Sequence, residues 1–244
     1  MRRTAIRRSP TTAARIFPCD PDAAGDIDPS SFAAAICFAA CYAYSPSGEG
    51  PLCEQARALC ARLKGADPRW LARFAVQVWW QRSARGQFAA VFRKPVVLVP
   101  VPGSGQSPRG PWVGERLACA LERAGLAQAV WPVLRRRTAV RKSAFAPAGE
   151  RPSVLEHYRS LAIERAWEEG GAQRPARLVL VDDVITRGRT LLAAAARLRE
   201  AFPGCEIRAF ALMRTLGRGE TPWRNPDPCE GEVRWLRGDA RRSP

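Results

Sequence analysis

Residues 178–190 read Leu-Val-Leu-Val-Asp-Asp-Val-Ile-Thr-Arg-Gly-Arg-Thr, and no other stretch of the 244-residue chain implies chemistry so directly. Two adjacent carboxylates, Asp182 and Asp183, follow an apolar run, and a loop of small and basic residues comes after them. In that loop Thr186 and Thr190 bring hydroxyls, Arg187 and Arg189 bring cations, and Gly188 lets the main chain approach an anion closely. The N–H groups that open the following alanine-rich helix add further donors. A phosphate cradle beside two acids suits a ribose 5-phosphate: the loop holds the phosphate and the carboxylates accept hydrogen bonds from the sugar's 2- and 3-hydroxyls. A buried strand ending in an Asp that caps the next helix would share the acids, but it does not need the threonine-glycine-threonine loop. The acid strand of a nucleoside triphosphatase also ends in Asp, yet it works with a G-x-x-x-x-G-K-[ST] loop that this chain lacks.

For these groups to act together they must lie at the carboxyl end of a parallel strand, where open α/β sheets bind ligands. Four apolar residues before a turn, with a 3.6-residue period after it, predict a buried parallel strand feeding a crossover helix. The surrounding chain supplies the rest of a sheet. Strands are expected at Val96–Val101, near Val130–Leu134 and at Ile207–Met213, with helices over about Val113–Ala124, Val154–Glu168 and Arg189–Phe202. Strands alternating with helices predict an α/β fold, a doubly wound parallel sheet with right-handed crossovers, over residues 93–216. Residues 31–92 read as an N-terminal helical element. It comprises the apolar run Phe32–Tyr44 behind an Asp-Pro-Ser-Ser start signal, and amphipathic helices at Leu52–Leu63 and Trp70–Val78 broken at Gly65-Ala66-Asp67-Pro68. Residues 1–30 lack periodicity and read as a flexible basic arm. Residues 217–244 form a polar, proline-rich tail in which Val233–Leu236 is an edge-strand candidate.

Two more segments carry anion chemistry. Pro100-Val101-Pro102 ends a strand and opens a glycine- and serine-containing loop through Gly103 and Ser104 to Arg109-Gly110, whose backbone donors would sit at the same sheet edge and could take a pyrophosphate. Arg135 to Lys142 holds five positive groups in eight positions, among them Arg137 and Lys142, in a connection too polar for a core. Either segment can also be an ordinary solvated loop.

Composition narrows the classes. The net charge is +16 and the sequence pI about 10.8; three of the 39 basic residues are lysines (Lys64, Lys94, Lys142), leaving 36 arginines spread along the chain. Anionic ligands are favoured, with DNA an open partner. His157 is the only histidine, which argues against Ser-His-Asp and histidine-rich zinc chemistry. The eight cysteines include no C-x-x-C pair; Cys37, Cys41, Cys53 and Cys60 could form one zinc site, but their apolar setting reads as buried, reduced thiols of a cytoplasmic protein. The run at Phe32–Tyr44 is too short to span a bilayer, so no membrane association is expected.

The segment Leu178–Thr190 resembles, at every position, the binding signature for 5-phosphoribosyl 1-pyrophosphate (PRPP) of the type I phosphoribosyltransferases, which more often carry Thr or Ser where Arg187 stands. Within that group the chain is most similar to the ComF family, linked to DNA uptake in competent bacteria, from about Tyr42 to Arg214. Leu63-Lys64-Gly65-Ala66-Asp67 resembles its LK-x-x-GD element, Pro100-Val101-Pro102 with Arg109-Gly110 its PVP-loop-RG segment, and Leu134 to Thr138 its L-x-R-x-x-T stretch. The paired C-x-x-C ribbon of that family is absent, the PVP-to-RG spacing is about two residues short, and Arg141 replaces an expected glutamine. The resemblance implies a type I phosphoribosyltransferase sheet and a Mg2+-PRPP site. In that site Asp182 and Asp183 hold ribose and metal, Thr186–Thr190 the 5-phosphate, and Val101–Ser104 with Arg109, Arg137 and Lys142 the pyrophosphate. It leaves open the acceptor, homodimer formation, and whether the chain is a transferase or a non-catalytic regulator acting with DNA or a competence protein.

Overall fold

A computed structural model describes residue 32 and residues 34–65, 67–105, 110–141, 151–164, 174–217, 220, 222–224 and 226–244. The basic arm at 1–30, and both Arg109 and Lys142, lie outside the described residues.

Strand β6 (Arg177–Ile185) carries the acid pair, and its sequence explains its place. Leu178 to Val181 are apolar on both sides of the pleat and wholly buried, as a strand covered on both faces requires. It pairs in parallel with β2 (Val97–Pro100) on one side and β7 (Glu206–Thr215) on the other. Outside β2 lies the short β3 (Ala129–Val130), and outside β7 lies β1 (Ile36–Tyr44), both parallel to their neighbours. A C-terminal antiparallel hairpin, β8 (Cys229–Leu236) and β9 (Asp239–Ser243), extends the β1 edge. The sheet order is β3-β2-β6-β7-β1-β8-β9. A separate two-stranded antiparallel ribbon joins β4 (Leu134–Arg136) to β5 (Leu161–Ile163).

Helices cover both faces. The helices α1 (Pro51–Gly65), α2 (Pro68–Arg85) and α3 (Val113–Arg123) build one core with Ala39, Leu98, Val179, Val181 and Phe210. Helices α4 (Val154–Ser160) and α5 (Arg189–Ala201) build the other with Phe38, Val99, Leu178 and Leu180. The fold is thus α/β with a mostly parallel seven-stranded sheet, compatible with double winding. Local signals set the helix ends: Asp67 accepts a hydrogen bond from the Arg69 N–H ahead of α2, which stops at Gly86 with φ of 67°. Ser153 and Glu156 close a reciprocal capping box on α4.

The structure corrects four sequence-based expectations. Phe32–Tyr44 is not helical: Ile36–Tyr44 is an interior strand, β1, between β7 and β8. A continuous apolar run does not distinguish buried strand from buried helix, and here the ladder of β7 supplies the pairing that decides. The strand expected near Val130–Leu134 is two strands in different sheets. The helix expected over Val154–Glu168 ends at Ser160, where the chain turns into β5. Val233–Leu236 is part of β8, which is not an edge; β9 covers it. Among the described residues no helix is long and apolar enough to cross a membrane.

Candidate functional site at the carboxyl edge of the sheet

Strand β2 stops at Pro100, opposite Val181, while β6 and β7 run on together to Ile185 and Arg214. Asp182 and Asp183 therefore project past the end of β2 with β7 still beside them. The pleat of β6 also changes here. Val181 packs in the α1–α3 core, yet Ile185, of the same parity, packs in the α4–α5 core. The Asp183 N–H donates to Asp182 Oδ1 at 2.8 Å and the Val184 N–H to Asp183 Oδ1 at 2.8 Å, so each carboxylate is fixed by the amide that follows it. Burial, then the charge of Asp183, raises the Asp182 carboxyl well above the usual carboxylate range; the charge of Arg136 opposes this only in part. A resting site that disfavours its own negative charge is prepared for hydroxyl donors or a cation.

The loop after β6 runs along the edge of a cleft. Thr186 and Arg187 are exposed, and Gly188 adopts φ of 84° as the N-cap of α5, so the first N–H groups of the helix open onto that cleft. A Cβ on Gly188 would lie 2.6 Å from both Val233 methyl carbons, so the position requires glycine for space as well as for φ. The cleft is lined by Asp182, Thr186–Thr190, Arg151 and His157, among others. Asp183 does not line it. Its charge is felt instead by the Cys60 thiol of α1, on the other side of the sheet.

The two loop arginines take different parts. Arg189 clamps Asp239 of β9 with two bonds of 2.6 Å, and its Nη1 donates to the carbonyls of Arg151 and Pro152 at 3.0 Å each. It fastens the C-terminal hairpin and the 151–152 segment to the cradle. Arg187, half-exposed, donates to the same Asp239 at 3.2 Å and projects from the rim.

The loop at Val101–Ser104 is beside the acids, but much of its backbone is already engaged. The Val101 N–H donates to the Val181 carbonyl at 2.9 Å, Trp112 Nε1 donates to the Val101 carbonyl at 2.9 Å, and the Val140 N–H donates to the Ser104 carbonyl at 2.8 Å. Arg136, buried at the end of β4, donates to the carbonyls of Pro102 and Gly103 and to Ser160 Oγ. Burial brings its pKa down to about 10, with Asp182 as the opposing charge. Arg137, the residue singled out by sequence, is half-buried and its N–H donates to the Ser160 carbonyl at 2.8 Å.

Thus the structure brings Asp182, Thr186–Thr190 and, through Arg136, Val101–Ser104 to one edge. Sequence reasoning missed Arg136, Arg151, His157 and Asp239 as site residues. Arg136 had a signal, since it is one of the arginines of a strand-like Leu-Arg-Arg step; Asp239 had none. Among the described residues no three His, Cys, Asp or Glu side chains cluster to hold a metal, Cys37, Cys41, Cys53 and Cys60 included. No protein-family model matches the chain, and no curated protein matches it.

Proposed function

We propose that the carboxyl edge of this sheet binds a magnesium complex of PRPP and transfers its phosphoribosyl group to an acceptor nucleophile, on a fold of the type I phosphoribosyltransferase kind. One observation carries the reading: Asp182, an acid with a raised pKa, and Gly188, a left-handed N-cap, line the same cleft six residues apart on one strand-loop-helix unit. The 5-phosphate would take the Thr186–Thr190 donors and the α5 N-terminus. Asp182, with Asp183 behind it, would accept the ribose hydroxyls and offset the positive charge that develops at C1. In the transfer the C1–O bond to pyrophosphate breaks with its electron pair leaving on oxygen, the acceptor's lone pair forms the new bond at C1, and the acceptor's proton passes to solvent. Val101–Ser104, with Arg109, Arg137 and Lys142, would face the departing pyrophosphate.

The donor set fits magnesium in the mode where one or two carboxylates share the ion with substrate phosphates, rather than in an all-protein cage. When bound, the ion would neutralise the leaving group; Asp182, the acid of the pair that lines the cleft, is the residue that would reach it.

Calorimetry with Mg2+-PRPP tests the binding, and a pyrophosphate-release assay across bases, amines and ammonia tests the reaction. Asp182→Asn is expected to weaken binding at least tenfold, as loss of a hydrogen-bond partner in the cleft should, and Asp183→Asn, at a position that does not line the cleft, by less. Unchanged binding in both variants sinks the proposal.

A second reading, a PRPP-binding regulator that engages DNA, is favoured by the outer stripe of α2. Val76, Trp79 and Trp80 are exposed there beside exposed Arg69 and Arg73, and the helix contains no acidic residue. Aromatic faces interleaved with arginine suit single-stranded nucleic acid.

A further inference from the structure

The only histidine of the chain sits in the wall of the cleft, and the reaction drawn above gives it nothing to do. His157 lies on α4, held by the capping box at Ser153 and Glu156, by its own N–H to the Ser153 carbonyl at 3.1 Å, and by Ser160 Oγ donating to its carbonyl at 2.7 Å. It is 4% exposed and shares the lining of the cleft with Thr186–Thr190. Its Nδ1 is buried and has no hydrogen-bond partner among the described residues. A buried polar atom left unmade costs on the order of 1–3 kcal/mol; of the seven such side-chain atoms among the described residues, only His157 Nδ1 belongs to a residue that lines the cleft.

The surroundings point to an anion rather than to water alone. The charged groups that face the ring are Arg136 from β4, Arg189 from α5, and Glu156 on its own helix. Burial, then Arg136, then Arg189, bring its pKa down to about 4, with Glu156 opposing. The imidazole is thus neutral at pH 7 and keeps one N–H to give and one lone pair to offer. A protonated ring would add a third cation to a wall already held by two arginines. A neutral one adds a directional hydrogen bond instead, which suits reading where a phosphate or hydroxyl oxygen sits.

We propose that His157 is a ligand-contacting residue of this site, its Nδ1 hydrogen-bonding an oxygen of the bound phosphate sugar, so that the cradle has a second wall supplied by α4. The inference rests on the PRPP reading but adds a residue and an element to it. Arg151, from the segment just ahead of α4, shares that wall and is tied to the loop through the bond from Arg189 to its carbonyl.

A single histidine makes the test direct. In protein labelled with 15N-histidine, the two ring nitrogens give signals that need no assignment to a residue, and calorimetry on the same sample reports whether Mg2+-PRPP binds. The expected result is a shift of the Nδ1 signal that saturates with the calorimetric isotherm. His157→Asn, which keeps a nitrogen near the Nδ1 position, should stay within a few-fold of the native affinity. His157→Gln and His157→Phe should lose about tenfold or more, the worth of one buried hydrogen bond left unmade, with melting temperatures measured alongside. If PRPP binds while both ring signals stay put, the inference fails and the PRPP reading survives. If PRPP does not bind at all, both fall. The labelled native protein decides the matter even where a variant does not fold.

Discussion

At the scale of single residues, the site separates groups that hold the protein together from groups left for a ligand. Arg189 is a fastening residue, its donors spent on Asp239 and two carbonyls, whereas Arg187 keeps one long bond and half its surface. The anomalous arginine of the signature loop therefore has a resting partner, Asp239, from the far end of the chain. Asp182 is the opposite case, a group whose resting state is unfavourable. Its folded pKa lies above the unfolded value of about 3.9, so the charged form costs stability, and that cost grows as pH rises through the folded pKa. Asp182→Asn removes the charge and keeps the Oδ1 acceptor for the Asp183 N–H. At pH 7 it should stabilise the ligand-free protein by about 1 kcal/mol, or roughly 2–4 °C for a chain of this size. The gap should close as pH falls towards 4. Scanning calorimetry of the two proteins between pH 4 and pH 8 measures this; a variant less stable than the native chain at pH 7 would show that Asp182 is a structural anchor. The acids and the glycine were legible because strand, acid pair and loop are contiguous. The roles of Arg136 and Asp239 were not, because each depends on a partner 33 or more residues away.

At the scale of elements, the cradle is braced by the C-terminal hairpin. Gly188 touches Val233 of β8, Asp239 of β9 holds both loop arginines, and Arg242 of β9 donates to the carbonyls of Ile185 and Thr215 at the ends of β6 and β7. Gly188→Ala should therefore act twice, through an unfavourable φ and through a clash with Val233. We expect a loss of about 2 kcal/mol or more, read by urea unfolding. Adding Val233→Ala should return part of it, net of the cavity it creates, because it relieves the clash and not the φ. A double variant no better than the sum of the two singles would show that the close approach carries no energy. This bracing also explains what the sequence concealed. The parallel core was legible from runs such as Leu178–Val181, because strands buried on both faces leave no polar positions. β1 was hidden because Ile-Cys-Phe-Ala-Ala-Cys-Tyr-Ala-Tyr is equally apolar at helical and extended spacing, and only its neighbours β7 and β8 settle it. The hairpin was hidden because its burial alternates weakly and its charged residues, Glu232, Arg234 and Arg242 among them, read as a solvated tail; their partners lie within the hairpin and at the carboxyl edge of the core strands.

At the scale of the whole molecule, a net charge of +16 acts on every anion, and the question is which anion it serves. Many arginines are spent internally: Arg177 and Arg208 on Glu206, Arg214 and Arg224 on Asp227, Arg189 on Asp239. These pairs occupy three buried or half-buried acids, Glu206, Asp227 and Asp239, and the excess of 16 positive charges remains beyond them. A small ligand in the cleft would meet only the local part of it, within a Debye length of about 8–10 Å. A polyanion along α2 would meet a stripe of it. The two cases separate by salt. For single-stranded DNA making three phosphate contacts, a slope near −0.7 per contact lowers affinity roughly 20-fold between 50 and 200 mM salt. Replacing Trp79 and Trp80 with Ala should cost about 1–3 kcal/mol per stacked base at either salt. PRPP binding should be indifferent to those two tryptophans, because α2 packs on the sheet face away from the cleft, which is walled by α4 and the start of α5. Fluorescence anisotropy of a labelled oligonucleotide, run beside PRPP calorimetry on the same variant, checks both. If DNA affinity proves independent of salt and of both tryptophans, the charge is an arginine-rich background with no polyanion behind it, and the cleft alone is left to account for what the protein binds.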